Sequence, residues 1–110
     1  MAAALDSWHD IIRSGDASAL DTLIADDAVF HSPVVHTPQV GKAIVVKYLT
    51  AAAKVLLNGS FHYVREMVDE RQAMLEFEVT IDDIVINGVD HICWNDNNQI
   101  IEFKVWVRPL

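Results

Sequence analysis

In the stretch Gly88-Val89-Asp90-His91-Ile92-Cys93-Trp94, an acid stands where its neighbours at spacing two, Ile92 and Trp94, are apolar. Strand side chains alternate between faces, so a strand here sets Asp90, Ile92 and Trp94 toward the interior and Val89, His91 and Cys93 on the other side. A carboxylate in apolar surroundings loses hydration, which favours its neutral form. Such an acid keeps its proton to higher pH and can donate it, or a hydrogen bond, to a ligand oxygen. The competing reading of Asp90 is a structural acid, satisfied by a side chain or backbone group beside Gly88. Other chemistry is poorly represented. The five histidines and the single cysteine form no His-Glu-x-x-His or Cys-x-x-Cys pattern, so no metal is expected. Neither a Gly-rich phosphate loop nor a Gly-x-Ser-x-Gly elbow is present, and no cofactor is expected.

The elements that must position Asp90 follow from periodicity. Leu75, Phe77, Val79 and Ile81 alternate with Glu76, Glu78 and Thr80, which predicts a strand with the apolar set inward. A tight turn at Asp82-Asp83 pairs Ile81 with Ile84, Val79 with Ile86, Phe77 with Gly88 and Leu75 with Asp90, so that the inward faces agree. A turn at Asn87-Gly88, the better hairpin dipeptide, is the rival. Upstream, Leu5, Trp8, Ile11 and Ile12 predict an amphipathic helix from Ala4 to Ser14, stopped at Gly15. Ser18 and Asp21 stand at capping-box spacing before a second, short helix expected to end at an Asp26-Asp27 turn. A strand Ala28–Ser32 is cut off by Pro33, and a loop runs from Val34 to Val40. The paired apolar positions from Ile44/Val45 to Val55/Leu56 predict the longest helix, about Gly41 to Leu57. Phe61–Asp69 reads as a strand whose parity is undecided. After a polar turn at Asn95–Asn98, a last strand, Ile100–Arg108, sends Ile101, Phe103, Val105 and Val107 to one side and Glu102, Lys104, Trp106 and Arg108 to the other. Helices followed by a run of antiparallel strands make an α+β fold.

The chain has 110 residues, and a single domain spanning 1–110 is expected. A formal charge of -8 without a Lys/Arg cluster argues against nucleic acid and anionic membrane as partners. One cysteine, and no basic n-region or apolar h-region before Leu5, suggest a cytoplasmic setting.

The element order, the stretch Ser14-Gly15-Asp16 through Leu23-Ile24-Ala25-Asp26-Asp27-Ala28-Val29-Phe30, and Gly88-Val89-Asp90-His91 together resemble the SnoaL-like and ketosteroid-isomerase-like families of the nuclear transport factor two superfamily. The resemblance spans nearly the whole chain. It implies a curved, mostly antiparallel sheet wrapped around the long helix, a cone open to a small apolar ligand and commonly a homodimer. Steroid isomerases of that family use a carboxylate base after the first strand, with a tyrosine on the first helix and an aspartic acid on the sheet holding the substrate oxygen. The sheet acid matches Asp90; the base position falls on Ser32 and the tyrosine position on Trp8. Serine without an activating partner is a poor base, so the familiar mechanism is incomplete here. SnoaL-like relatives include polyketide cyclases.

In such a cone, His36 sits in a loop overhanging the mouth and is the candidate base, against the reading of an exposed loop histidine. Trp8, Phe30, Ser32, Tyr48, Phe77, Phe103 and Val105 are candidate ligand-binding residues, against plain core. Two functions stand: a cofactor-independent isomerase, cyclase or dehydratase using Asp90 and His36 on a carbonyl compound, or a non-catalytic ligand-binding or protein-association module. Trp106 falls on the sheet face turned away from the helices, which predicts a homodimer through the outer face; a Trp lying under the Lys104 and Arg108 stems is the alternative.

Overall fold

The computed structural model describes residues 3–109. Helix α1 is Ala3–Ser14, α2 is Leu20–Leu23 and α3 is Lys42–Leu56; the strands are β1 (Ile24–His31), β2 (Gln39–Val40), β3 (His62–Asp69), β4 (Gln72–Ile81), β5 (Ile84–Trp94) and β6 (Ile100–Pro109). They form one curved, open sheet in the order β2-β1-β6-β5-β4-β3, antiparallel throughout except for the parallel pair β1 and β6. The helices pack on its concave face, giving the α+β cone. No helix among the described residues is long and apolar enough to cross a membrane.

Local chemistry explains most boundaries. On α1 the buried residues Ala4, Leu5, Trp8 and Ile11 follow the helical period, and Gly15, at φ +73°, lets its N–H close on the Ile11 carbonyl at 2.8 Å and ends the helix. The β4–β5 turn is Asp82-Asp83, with φ 50° and 66°, the left-handed values a two-residue I′ hairpin demands. Every pair expected from that turn is observed, including Phe77 with Gly88 and Leu75 with Asp90. Asn87-Gly88 is therefore mid-strand. A Cβ at Gly88 would lie 2.3 Å from the Phe77 ring, so this glycine makes room for the largest inward residue of β4. Asn87 is buried but satisfied: its Nδ2 donates to Glu76 at 2.9 Å and its Oδ1 accepts from Arg108 at 3.1 Å.

Three expectations are corrected. The second helix ends at Leu23, and Asp26-Asp27 belong to β1, where the register with β6 shifts between Ile24 and Val29. Both acids stay exposed at this irregularity, and Lys42 lies 3.6 Å from Asp26, so turn-forming residues serve a bulge within a strand. The loop after Pro33 folds back, and its end forms β2 against Val29 and Phe30. In β6, Cys93 pairs with Glu102 but Trp94 with Ile100, which leaves Ile101 as a bulge; Ile100 takes the fully buried position that simple alternation assigns to Ile101.

Candidate functional site

Asp90 points from the middle of β5 into the concave side of the sheet and is 5% exposed. Its cross-strand partners, Leu75 on β4 and Val105 on β6, are apolar. One hydrogen-bond series reaches it: the Trp8 indole N–H on α1 donates to the Tyr63 hydroxyl at 2.9 Å, and that hydroxyl donates to Asp90 Oδ2 at 2.7 Å. Trp8 is itself held by an edge-on contact with Phe103, ring centroids 4.9 Å apart. Among the described residues, no Lys, Arg or His lies within ion-pair distance of Asp90.

Burial pushes the Asp90 carboxyl up to about 7, although the Tyr63 hydrogen bond pulls the other way. Desolvation and the neighbouring Asp90 charge raise the Tyr63 phenol well above its ordinary range, so Tyr63 stays a donor at neutral pH. An acid poised in this way exchanges its proton near neutrality, which suits it to give a hydrogen bond in one form and accept one in the other.

Asp90 forms part of the wall of a cavity of about 310 Å³ between α1, α3 and the sheet. Of the residues expected to bind a ligand, Trp8, Phe30, Phe103 and Val105 line it. Ser32, Tyr48 and Phe77 do not. Ser32 Oγ accepts a hydrogen bond from the Val34 N–H at 3.2 Å in its own loop, Tyr48 stacks on Phe30 at 5.6 Å, and Phe77 is sealed beneath Phe61 at 5.0 Å. His36 is exposed on the loop and outside the cavity wall, so the structure does not bring it together with Asp90. Asp90 is the sole titratable side chain among the described residues lining the cavity. A surface groove along α1, lined by Ser7, Asp10, Arg13 and Asp16, holds no buried polar group and is unconnected with this chemistry.

Tyr63 is the member of the candidate site that periodicity alone does not reveal. Its pairing shows why: Asp69 pairs with Gln72 and Arg65 with Glu76, and without interruption this register would set Tyr63 opposite Glu78, on the outer face. A bulge at Val64 shifts the pairing, so that Tyr63 faces Phe77 and points inward with Phe61. A signal was present in a phenol-bearing aromatic two residues from Phe61, but only the partner strand selects its face.

A family model of the SnoaL-like domain matches residues 5–103. No curated protein matches the chain. Among solved structures, the fold is similar to a steroid delta-isomerase from Pseudomonas aeruginosa, with TM-score 0.92 and 36% identity over 99% of this chain and 80% of that one. It is also similar to an uncharacterised protein with a cystatin-like fold from Silicibacter pomeroyi DSS-3, with TM-score 0.88 and 28% identity over 99% and 76% of the two chains. An NTF2-like protein of unknown function from Mesorhizobium loti shares the fold at TM-score 0.82 and 22% identity, over 96% and 88%.

Proposed function

The chain belongs to the SnoaL-like domain family, and from that premise we propose that its cone takes a small apolar carbonyl compound whose oxygen meets Asp90. The observation that carries this reading is that the cavity has apolar walls and, among the described residues, one ionisable group, a carboxyl poised near neutrality and held on its far oxygen by Tyr63. In its neutral form Asp90 donates from Oδ1 to the ligand oxygen, and this hydrogen bond strengthens as negative charge develops there. The likeness to a steroid delta-isomerase supports cofactor-independent isomerase, cyclase or dehydratase chemistry of this kind.

A second reading, a binding module without turnover, is favoured by the absence of a separate base among the described residues lining the cavity. Ser32 and His36 are both outside its wall. A lone carboxyl anchors a ligand well but must take and return any proton itself. The outer face around Trp106, which is 44% exposed, is proposed as the contact between two copies; Lys104 Nζ, 4.9 Å from the ring centroid, and His91, stacked at 6.4 Å, favour the alternative of a Trp sheltered by its own neighbours.

Calorimetric titration with 1-adamantyl methyl ketone at about pH 6, where Asp90 is mostly neutral, tests the carbonyl reading. Binding by the parent and a loss of at least about tenfold in Asp90→Leu is the expected result, since the side chain that meets the oxygen is gone. Equal affinity in both proteins would show that the oxygen does not meet Asp90. Proton exchange into the bound ketone from deuterated water then separates catalysis from simple binding.

A further inference from the structure

The cavity's polarity is one-sided. Asp90 is buried with no cation beside it among the described residues, yet both donors behind it are aimed to support a negative carboxylate: the Trp8 N–H onto Tyr63, and the Tyr63 O–H onto Oδ2. The side-chain hydrogen bond that Asp90 accepts falls on Oδ2, which leaves Oδ1 without a side-chain partner among the described residues, and Asp90 is part of the cavity wall. Four aromatic side chains, Trp8, Phe30, Phe61 and Phe103, share that wall. The site thus offers one anionic acceptor and several ring surfaces, inside a molecule of net charge -8 whose field concentrates cations around it.

We infer that the cone also receives a compact hydrophobic tertiary amine, bound as its ammonium ion, with the single N–H donated to Asp90 Oδ1. Such an ion would occupy the cavity of the carbonyl reading as a ligand of a different class. The degree of substitution follows from hydrogen-bond counting. A tertiary ammonium has one N–H for the one free acceptor, whereas a primary ammonium would leave two donors buried against apolar wall. Its alkyl groups and skeleton meet the aliphatic and aromatic walls, and the positive charge is drawn to the ring faces. The ion pair forms where water is scarce, and the Tyr63 bond leaves the carboxylate less dependent on the ligand for its stabilisation.

The groups around Asp90 make its ionisation the readable step. Leu75 on β4 and Val105 on β6 flank it without charge. From β3 it faces Tyr63, and beyond Tyr63 lie Glu66 and, on α1, His9, whose Nε2 is 2.9 Å from Glu66. The α1 residue nearest the site, Trp8, carries no charge.

The probes are N,N-dimethyladamantan-1-amine and 1-adamantyl methyl ketone, titrated calorimetrically into the parent between about pH 5.5 and 8.5, a range in which the amine stays protonated. With Asp90 ionising at about 7, amine affinity should rise roughly thirtyfold across this range while ketone affinity does not rise. Tyr63→Phe, which removes the donor supporting the anion, should move the amine profile to higher pH, and Asp90→Asn should abolish the preference for the amine. Should Asp90→Asn not fold, the parent profile and the Tyr63→Phe displacement decide without it. Amine affinity that is flat or falls with pH, or that is untouched in Asp90→Asn, overturns the inference. Ketone binding without amine binding overturns it too and leaves the carbonyl reading intact; amine binding without ketone binding upholds it and retires that reading.

Discussion

Asp90 and His91 are consecutive residues on one strand, and the two faces they occupy treat charge in opposite ways. On the concave side the Asp90 carboxyl is enclosed by apolar residues and accepts from the Tyr63 hydroxyl, which the Trp8 N–H backs in turn, and burial pushes it up to about 7. On the convex side polar groups are numerous and several find partners near water: His31 lies 2.9 Å from Glu102, His91 2.9 Å from Gln72, and Lys104 covers Trp106. The convex groups outnumber the concave ones, but exposure weakens each interaction. A residue becomes a chemical handle here through the dryness of its face rather than through its ionisable type.

The contrast can be broken most forcefully at Trp8. It is buried, packs on Phe103 and carries the first donor of the series, so Trp8→Ala should cost about 3–5 kcal/mol in urea unfolding. A cost under about 1 kcal/mol would mean that the concave side is not the tightly packed one.

The two faces also differ in how their stability depends on pH. The folded Asp90 pKa of about 7 lies above the unfolded value of about 3.9, so its contribution is fully present below the unfolded value and is lost as pH rises through the folded one. That difference corresponds to about 4 kcal/mol lost between about pH 4 and 8. Asp90→Asn should flatten that part of the profile and melt at least as high as the parent at neutral pH; a parallel profile in the variant would locate the pH dependence elsewhere. Gly88→Ala should cost about 1–3 kcal/mol by overpacking against Phe77, a loss that a second substitution trimming Phe77 should partly recover. Trp106→Glu, on the wet face, should change the stability of the isolated chain by no more than about 0.5 kcal/mol. Under the proposed outer-face dimer it should also halve the mass in sedimentation, and an unchanged mass would remove that proposal.

Much of this molecule is readable before folding because alternation and turn chemistry are local. The apolar set of β4, the left-handed pair Asp82-Asp83 and the parity of Asp90 are consequences of neighbouring residues, and the observed register agrees with them pair by pair. The SnoaL-like resemblance likewise rests on short stretches, and the match over residues 5–103 agrees with it. The bulges were decided only by the tertiary structure. Val64 and Ile101 look like ordinary strand residues, yet each is the one unpaired position across which strand parity reverses, turning Tyr63 inward and handing the core to Ile100. A one-residue shift arises from how two strands accommodate each other around a curved core, and neither strand encodes it alone. The same holds for His36 and Ser32: spacing around Pro33 sets them near a mouth, but whether a loop side chain enters a cavity depends on the surfaces across from it, which here leave Asp90 as the cavity's sole ionisable group among the described residues.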